Sequence, residues 1–326
     1  MLKRLLYFLP LILLCACRNV EVENAVVVPL ASLPEELSCA TAFTADNAVF
    51  VFGGRQTDDR YSNKLYKYLP KVDEWQLIGT TPLRARVYPV AVALQEKVYI
   101  GLGYSGDGIY NENSYLRDFW QYDAAENQWT RLADFPDSRS NEATAFFSDG
   151  YIYVGLGFRG GFTNLFYRYD PSSDSWTDSE DAVTYERRCT GAVGATAGGR
   201  TFVGTGFRKG SHKDWYEYLP ADAKWSKRTS LPGKGRHNAA VAATDNMIYL
   251  FGGWHYGDSL TGGFYFDDML RYDVQRNRWI KLGTLPQGRA MNMVAAALDG
   301  VVYFGLGEAE DQKPQKTFYK IEKLAN

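Results

Sequence analysis

Residues 238–279 read NAAVAATDNMIYLFGGW, a polar and aromatic loop, and then MLRYDVQRNRW. Ala240, Ala242 and their small neighbours suit a tightly packed strand, and Asp245-Asn246 is a turn pair that tolerates positive φ, so a hairpin is expected. Met247 to Phe251 is apolar on both faces, the pattern of a strand held between layers. Gly252-Gly253 ends it where backbone must approach another element closely. Leu270-Arg271-Tyr272 then alternates as a third strand, Asp273 to Asn277 turns, and Trp279 opens a fourth. The stretch predicts one small sheet of four antiparallel strands.

The same unit recurs along the chain. Its glycines return as Gly53-Gly54, Gly101-Leu102-Gly103, Gly155-Leu156-Gly157, Gly204-Thr205-Gly206 and Gly305-Leu306-Gly307, a period of roughly 50 residues. A tryptophan holds the matching place at Trp75, Trp129, Trp176, Trp225 and Trp279, each preceded by a tyrosine, Tyr68, Tyr122, Tyr169, Tyr218 and Tyr272. This set resembles the kelch repeat, and the resemblance covers nearly all of the chain after its first residues. It implies an all-β fold, a six-bladed kelch β-propeller with four antiparallel strands per blade. The blades are placed near 37–82, 83–136, 137–185, 186–232, 233–286 and 287–326, the last completed by 25–34. A propeller is a scaffold on which sites are grafted, so the repeat by itself names no activity.

Closure follows from the two ends of the repeat series. The sixth repeat stops at Ile321-Glu322-Lys323 without a fourth strand or tryptophan. The Val-rich stretch 25–34 ends in Leu33-Pro34, as fourth strands elsewhere end at Leu231-Pro232 and Leu285-Pro286. Val26 to Leu30 is therefore expected to supply the missing outer strand, with Pro29 tolerated on an outermost strand. Such a clasp removes an open edge that would invite aggregation.

With 326 residues, 45% hydrophobic, the chain can bury a large core, and its net charge of −2 lacks the basic footprint of a nucleic-acid binder. Before the repeats, Lys3 and Arg4 precede an apolar run, Leu5 to Leu14, that is too short to span a bilayer. The ending Leu14-Cys15-Ala16-Cys17 looks like a bacterial lipobox. That likeness implies a signal peptide over 1–16, a diacylated Cys17, a tether over 17–24 and a lipid-anchored place in the bacterial cell envelope, at the outer membrane or periplasmic face. The other two of four cysteines, Cys39 and Cys189, fall in blades on opposite sides of the ring and are expected as buried thiols.

In this strand order the loops leading into the inner strands share a face with the loops between second and third strands. The first set carries an arginine in five of six repeats: Arg86, Arg139, Arg188 (or Arg187), Arg236 and Arg289. In kelch adaptors arginines at this place line the channel mouth and bind acidic partners, so the resemblance implies a broken cationic ring. The competing reading is that each arginine braces loop carbonyls. The second set is aromatic, with Tyr104, Tyr110, Phe158, Phe162, Phe207, Trp215, Trp254, Tyr256 and Phe264 beside Asp107, Asn111, Asn113 and Asp258. Such faces suit sugar rings or protein partners, and they equally suit packing between loops.

His212, His237 and His255 lack metal-site spacing, and no metal or cofactor is expected. Galactose oxidase shares the repeat, but no cysteine here holds the loop position that its chemistry requires. A more distant similarity is to periplasmic sialic-acid mutarotase. Ring opening needs a proton donor and an acceptor about the anomeric centre, roles for which Glu142 and Glu186 are candidates, although glutamates beside arginines also form plain ion pairs. The sequence thus favours a monomeric module binding a glycan or an acidic protein at the mouth, with sugar mutarotation as the alternative. A carboxylate at the mouth without a cationic partner separates the two.

Overall fold

The computed structural model describes residues 20–106, 111–138, 140–257 and 262–322. The signal segment, Cys17, Asp107, Tyr110, Arg139 and Asp258 lie outside the described residues. Six sheets carry the fold, as the repeats predict. In the fifth blade Ala240–Ala243, Met247–Phe251, Asp268–Asp273 and Arg278–Thr284 follow from the channel outward, antiparallel at every step. Thr244 N donates to Met247 O at 2.9 Å to close its hairpin, but Asp245 and Asn246 do not take positive φ; Asp46 and Asn47 of the first blade do.

Sequence explains why the blades hold together. Gly252 has φ +56°, and a Cβ there would lie 2.3 Å from Ala290 O, so only glycine lets the second strand of blade five meet the loop entering blade six. The repeated tyrosine finds a turn residue five positions on. Tyr68, Tyr169 and Tyr272 hydroxyls donate to Asp73, Asp174 and Asn277 at 2.7–2.8 Å. Those acceptors sit at φ 54°, 48° and 51°, where Asp and Asn are better tolerated than most residues. The tryptophan then crosses to the preceding blade: Trp176 Nε1 donates to Ala133 O at 2.9 Å and Trp279 Nε1 to Thr229 O at 2.8 Å. Local turn chemistry and blade-to-blade packing are thus set by one motif.

The N-terminal clasp forms. Val27–Leu30 pairs antiparallel with Phe318–Ile321 as the outer strand of blade six, and Trp75 Nε1 of blade one donates to Ala31 O at 2.8 Å. The tether reading needs correction at residues 20–24. Glu21–Val22 runs parallel to the outer strand of blade five, Glu23 N donates to Lys281 O at 2.8 Å, and Glu23 pairs with Arg271 at 2.7 Å. Unpaired backbone on that outer strand accepts the passing chain, so the segment straps blades five and six together instead of hanging free.

Candidate functional site

Six residues, one at the entrance to each blade's inner strand, meet around the central channel. They are Cys39, Tyr88, Glu142, Gly191, Asn238 and Asn292, and all six adopt left-handed backbone, with φ between 52° and 61°. Five backbone bonds link them from blade to blade: Cys39 N to Asn292 O, Tyr88 N to Cys39 O, Gly191 N to Glu142 O, Asn238 N to Gly191 O and Asn292 N to Asn238 O, at 2.8–3.1 Å. This ring, bonded at every step but that from Tyr88 to Glu142, frames a throat of about 130 Å³. Below it the shaft is walled by small apolar residues such as Ala42, Ala91, Ala145 and Ala295. Five non-glycine residues held at positive φ in one ring concentrate backbone strain where a functional site is expected.

Glu142 is the one carboxylate in the throat ring. Thr190 Oγ1 donates to its Oε2 at 3.0 Å and Asn238 Nδ2 to its Oε1 at 3.1 Å, and no cation pairs with it among the described residues. Burial pushes its carboxyl above the ordinary range, against the pull of those two donors. Asn292 is 6% exposed, and its buried Oδ1 has no hydrogen-bond partner. Tyr88 shares the throat, and burial, the Cys39 thiol and Glu142 together push its phenol well up. Burial likewise raises the Cys39 thiol to about 12, with the Glu308 carboxylate adding to the effect, so the thiol stays protonated. Cys39 and Cys189 are both buried and free.

The arginine ring does not form as expected. Arg86 and Arg236 are fully buried. Arg86 forks onto Asp118 with both bonds at 2.8 Å and donates to Leu102 O at 3.0 Å. Arg236 does the same with Asp268 at 2.5 and 2.9 Å and Gly252 O at 3.0 Å, its guanidinium 3.6 Å from the Phe266 ring centroid. These two fasten the loops of their own blades and present no charge to the mouth. Arg187 pairs with Asp214 at 2.7 Å, Arg289 with Glu310 at 3.0 Å, and Arg188 is exposed. Glu186 is exposed as well and makes no hydrogen bond to Glu142 among the described residues.

The loop aromatics pack on one another. Phe158 meets Phe162, Phe162 meets Phe207, Phe207 touches His237 and Tyr256, and Trp254 touches His237 and Tyr256, with centroids 4.9–6.3 Å apart. Tyr104 joins Tyr61 and Tyr115 in a second group. Trp215 belongs to neither. It starts the third strand of blade four, is fully buried, and packs on Tyr272 and Trp279, so its placement in a loop is corrected. Burial lowers His237 to about 4, leaving the imidazole neutral near pH 7, with Nδ1 3.0 Å from Ser211 Oγ. Around the mouth, Arg55 donates to Glu308 at 2.6 Å, and the Tyr265 hydroxyl reaches the same carboxylate at 3.3 Å. Neither Arg55 nor Glu308 carries a repeat signature, and sequence reasoning passed over both.

Comparison with known proteins places this geometry in a family. The profile of the Attractin/LZTR1 beta-propeller matches residues 49–307. Kelch-like protein terF of Aspergillus terreus is 24% identical over 285 residues, 84% of this chain and 49% of the relative. N-acetylneuraminate epimerase of Shigella boydii serotype 4 is 37% identical over 87 residues, 25% of this chain and 22% of the relative. The chain therefore spans less than half the length of these curated relatives. A solved structure described as "Structure of YjhT" superposes with a TM-score of 0.72 over 89% of this chain and 95% of that one at 16% identity, a likeness of fold alone. The chain belongs to the Attractin/LZTR1 β-propeller family.

Proposed function

We propose, on the premise of that membership, that this kelch propeller is a binding module for carbohydrate, taking its ligand at the channel mouth with Glu142 as the central polar contact. The supporting observation is the Glu142 carboxylate, which looks into the throat cavity with two uncharged donors and no cationic partner among the described residues. A carboxylate paired with arginine would be spent on structure; this one keeps acceptor capacity for ligand hydroxyls. Half-buried Tyr61, Tyr104 and Tyr265 offer the apolar faces that sugar rings stack on. The acidic-protein reading loses support because Arg86 and Arg236 are turned inward onto Asp118 and Asp268.

The test is a glycan screen followed by calorimetry. The glycan bound by the native chain should bind Glu142→Ala roughly 10–150-fold more weakly, the span of a lost hydrogen bond to a charged group of about 1.5–3 kcal/mol. Unchanged affinity would move the site elsewhere.

A second reading rests on the same carboxylate without a cationic partner among the described residues, the feature that separates mutarotation from plain binding, together with its raised carboxyl near the Tyr88 phenol. In mutarotation Glu142 would take the proton of the anomeric hydroxyl while a neighbouring acid protonates the ring oxygen. The C–O ring bond opens, the carbonyl rotates, and the reverse transfers close it, with no net redox change. Anomer exchange of sialic acid, followed by NMR, is expected to be accelerated by the native chain and not by Glu142→Gln if this reading holds. A rate equal to the uncatalysed one removes it.

The mouth is also proposed to be displayed from a membrane of the bacterial envelope through lipid on Cys17, supported by the basic, apolar and small-residue order of residues 3–17. One acyl group holds a protein only marginally, whereas two anchor it stably. Cys17→Ala is expected to shift the protein from membrane to soluble fractions and to abolish labelling with a clickable fatty acid. Labelling that persists in this variant rules the anchor out.

A further inference from the structure

The throat holds chemistry that stacking of sugars at the mouth does not use. We propose that it is a receptor for a compact cationic head, the primary ammonium of a small ligand such as an amino sugar, held by Glu142 with Asn238 and Asn292. This deepens the carbohydrate reading, on which the identity of the ligand body rests.

The charge comes first. Glu142 accepts from Thr190 and Asn238 only, both uncharged, so its negative charge is unmatched among the described residues. A carboxylate offers about four lone-pair sites, so acceptor capacity remains toward the cavity that Glu142 lines. The small apolar shaft beneath supplies no counter-charge. In a narrow, low-dielectric channel a single uncompensated charge attracts the opposite sign strongly.

A second, independent observation is Asn292. Its carboxamide lines the same cavity, is 94% buried (6% exposed), and leaves Oδ1 without a partner. Native structures seldom leave such a group unsatisfied, and a ligand that donates a hydrogen bond relieves it. An ammonium offers three donors and no acceptor, the complement of a carboxylate and an amide that line one cavity.

The receptor is also pre-set. A Cβ on Gly191 would fall 1.9 Å from Asn238 Oδ1, so the missing side chain is what lets Asn238 lean across and reach Glu142. The backbone ring fixes both residues at φ near 52°. With about 130 Å³ the throat is sized for a head group, while the sugar ring would remain at the aromatic mouth. An inorganic monovalent cation shares the charge but not the tetrahedral donor geometry, and the test separates the two.

Calorimetry at pH 7 on the full chain would use methylammonium, sodium, potassium, glucosamine, glucose and N-acetylglucosamine. Glucosamine is expected to bind at least about tenfold more tightly than N-acetylglucosamine, whose nitrogen is acylated and neutral, as charge-assisted bonds are about twice as strong as neutral ones. Methylammonium should compete with it. Glu142→Gln should abolish the preference without lowering the melting temperature, since burial already disfavours the charged carboxyl, and Asn292→Ala, which keeps the charge, should weaken glucosamine several-fold. Gly191→Ala should reproduce the Glu142→Gln loss by displacing Asn238.

The proposal is overturned if neither amine binds, if sodium or potassium binds and methylammonium does not, or if the preference survives in Glu142→Gln. Neutral and amino sugars binding equally would overturn it while leaving the carbohydrate reading intact. Methylammonium bound with no sugar bound would uphold the throat receptor and remove the carbohydrate reading.

Discussion

Arg236→Ala is expected to destabilise the propeller by about 3–5 kcal/mol, the cost of leaving one partner of a buried ion pair uncompensated. Arg236 is fully buried, and its fork satisfies both oxygens of Asp268 as well as Gly252 O. Alanine would strand a carboxylate whose side chain is only 17% exposed and open a void under Phe266. Arg236→Lys keeps the charge but not the planar fork, so an intermediate loss is expected. Arg289→Ala is the control. Its pair with Glu310 is more than half exposed on both sides, and such pairs contribute about 0–1 kcal/mol. Urea midpoints would measure all three, and an Arg236→Ala midpoint within error of the native one would return that residue to the list of ligand contacts.

The homologous brace in blade two adds a pH test. Burial alone would raise Asp118, but the Arg86 fork outweighs it and holds the folded carboxyl below the usual range. A group depressed in the folded state stabilises above its unfolded pKa of about 3.9 and loses that contribution as pH falls through the lower folded value. Native protein should therefore lose stability on acidification below about pH 4, and Arg86→Ala, already destabilised, should show a shallower acid limb. Parallel acid limbs would mean that the brace does not control Asp118.

These arginines show where sequence reading stopped. The glycine pairs, tyrosines and tryptophans are legible because each answers a local backbone or packing demand that recurs in every blade. An arginine in a loop answers no such demand until its partner is known. The partner was in fact periodic: Asp118 follows Arg86, and Asp268 follows Arg236, by 32 residues in each case. Correlating charges across that interval would have marked braces instead of a ring. The throat is a harder case. Cys39, Tyr88 and Asn238 have no chemistry in common, and only their shared left-handed backbone at one register gathers them. In the sequence Glu142 stands out as a neighbour of an arginine, whereas what distinguishes it in the fold is that no described cation reaches it.

Deleting Ala25–Pro34 is expected to abolish cooperative folding, because the segment closes the ring from both sides. On blade six it supplies Val27–Leu30, without which Phe318–Ile321 becomes an open edge strand, a template for aggregation. On blade one it supplies Ala31, whose N–H donates to Asp73 at 2.8 Å and whose carbonyl accepts from Trp75 at 2.8 Å, together with Leu33, 1% exposed in the core between the two blades. Trp75 would lose the backbone acceptor that Trp176 and Trp279 keep in their blades. A milder deletion separates closure from strapping. Removing residues 20–24 takes away the parallel pair on blade five and the ion pairs of Glu21 with Arg278 and Glu23 with Arg271. Partly exposed pairs of this kind are worth about 0–1 kcal/mol each, so that variant should still melt in one transition at a slightly lower temperature. A soluble monomer with a single sharp melt after deletion of Ala25–Pro34 would show that blades one and six hold each other without the clasp.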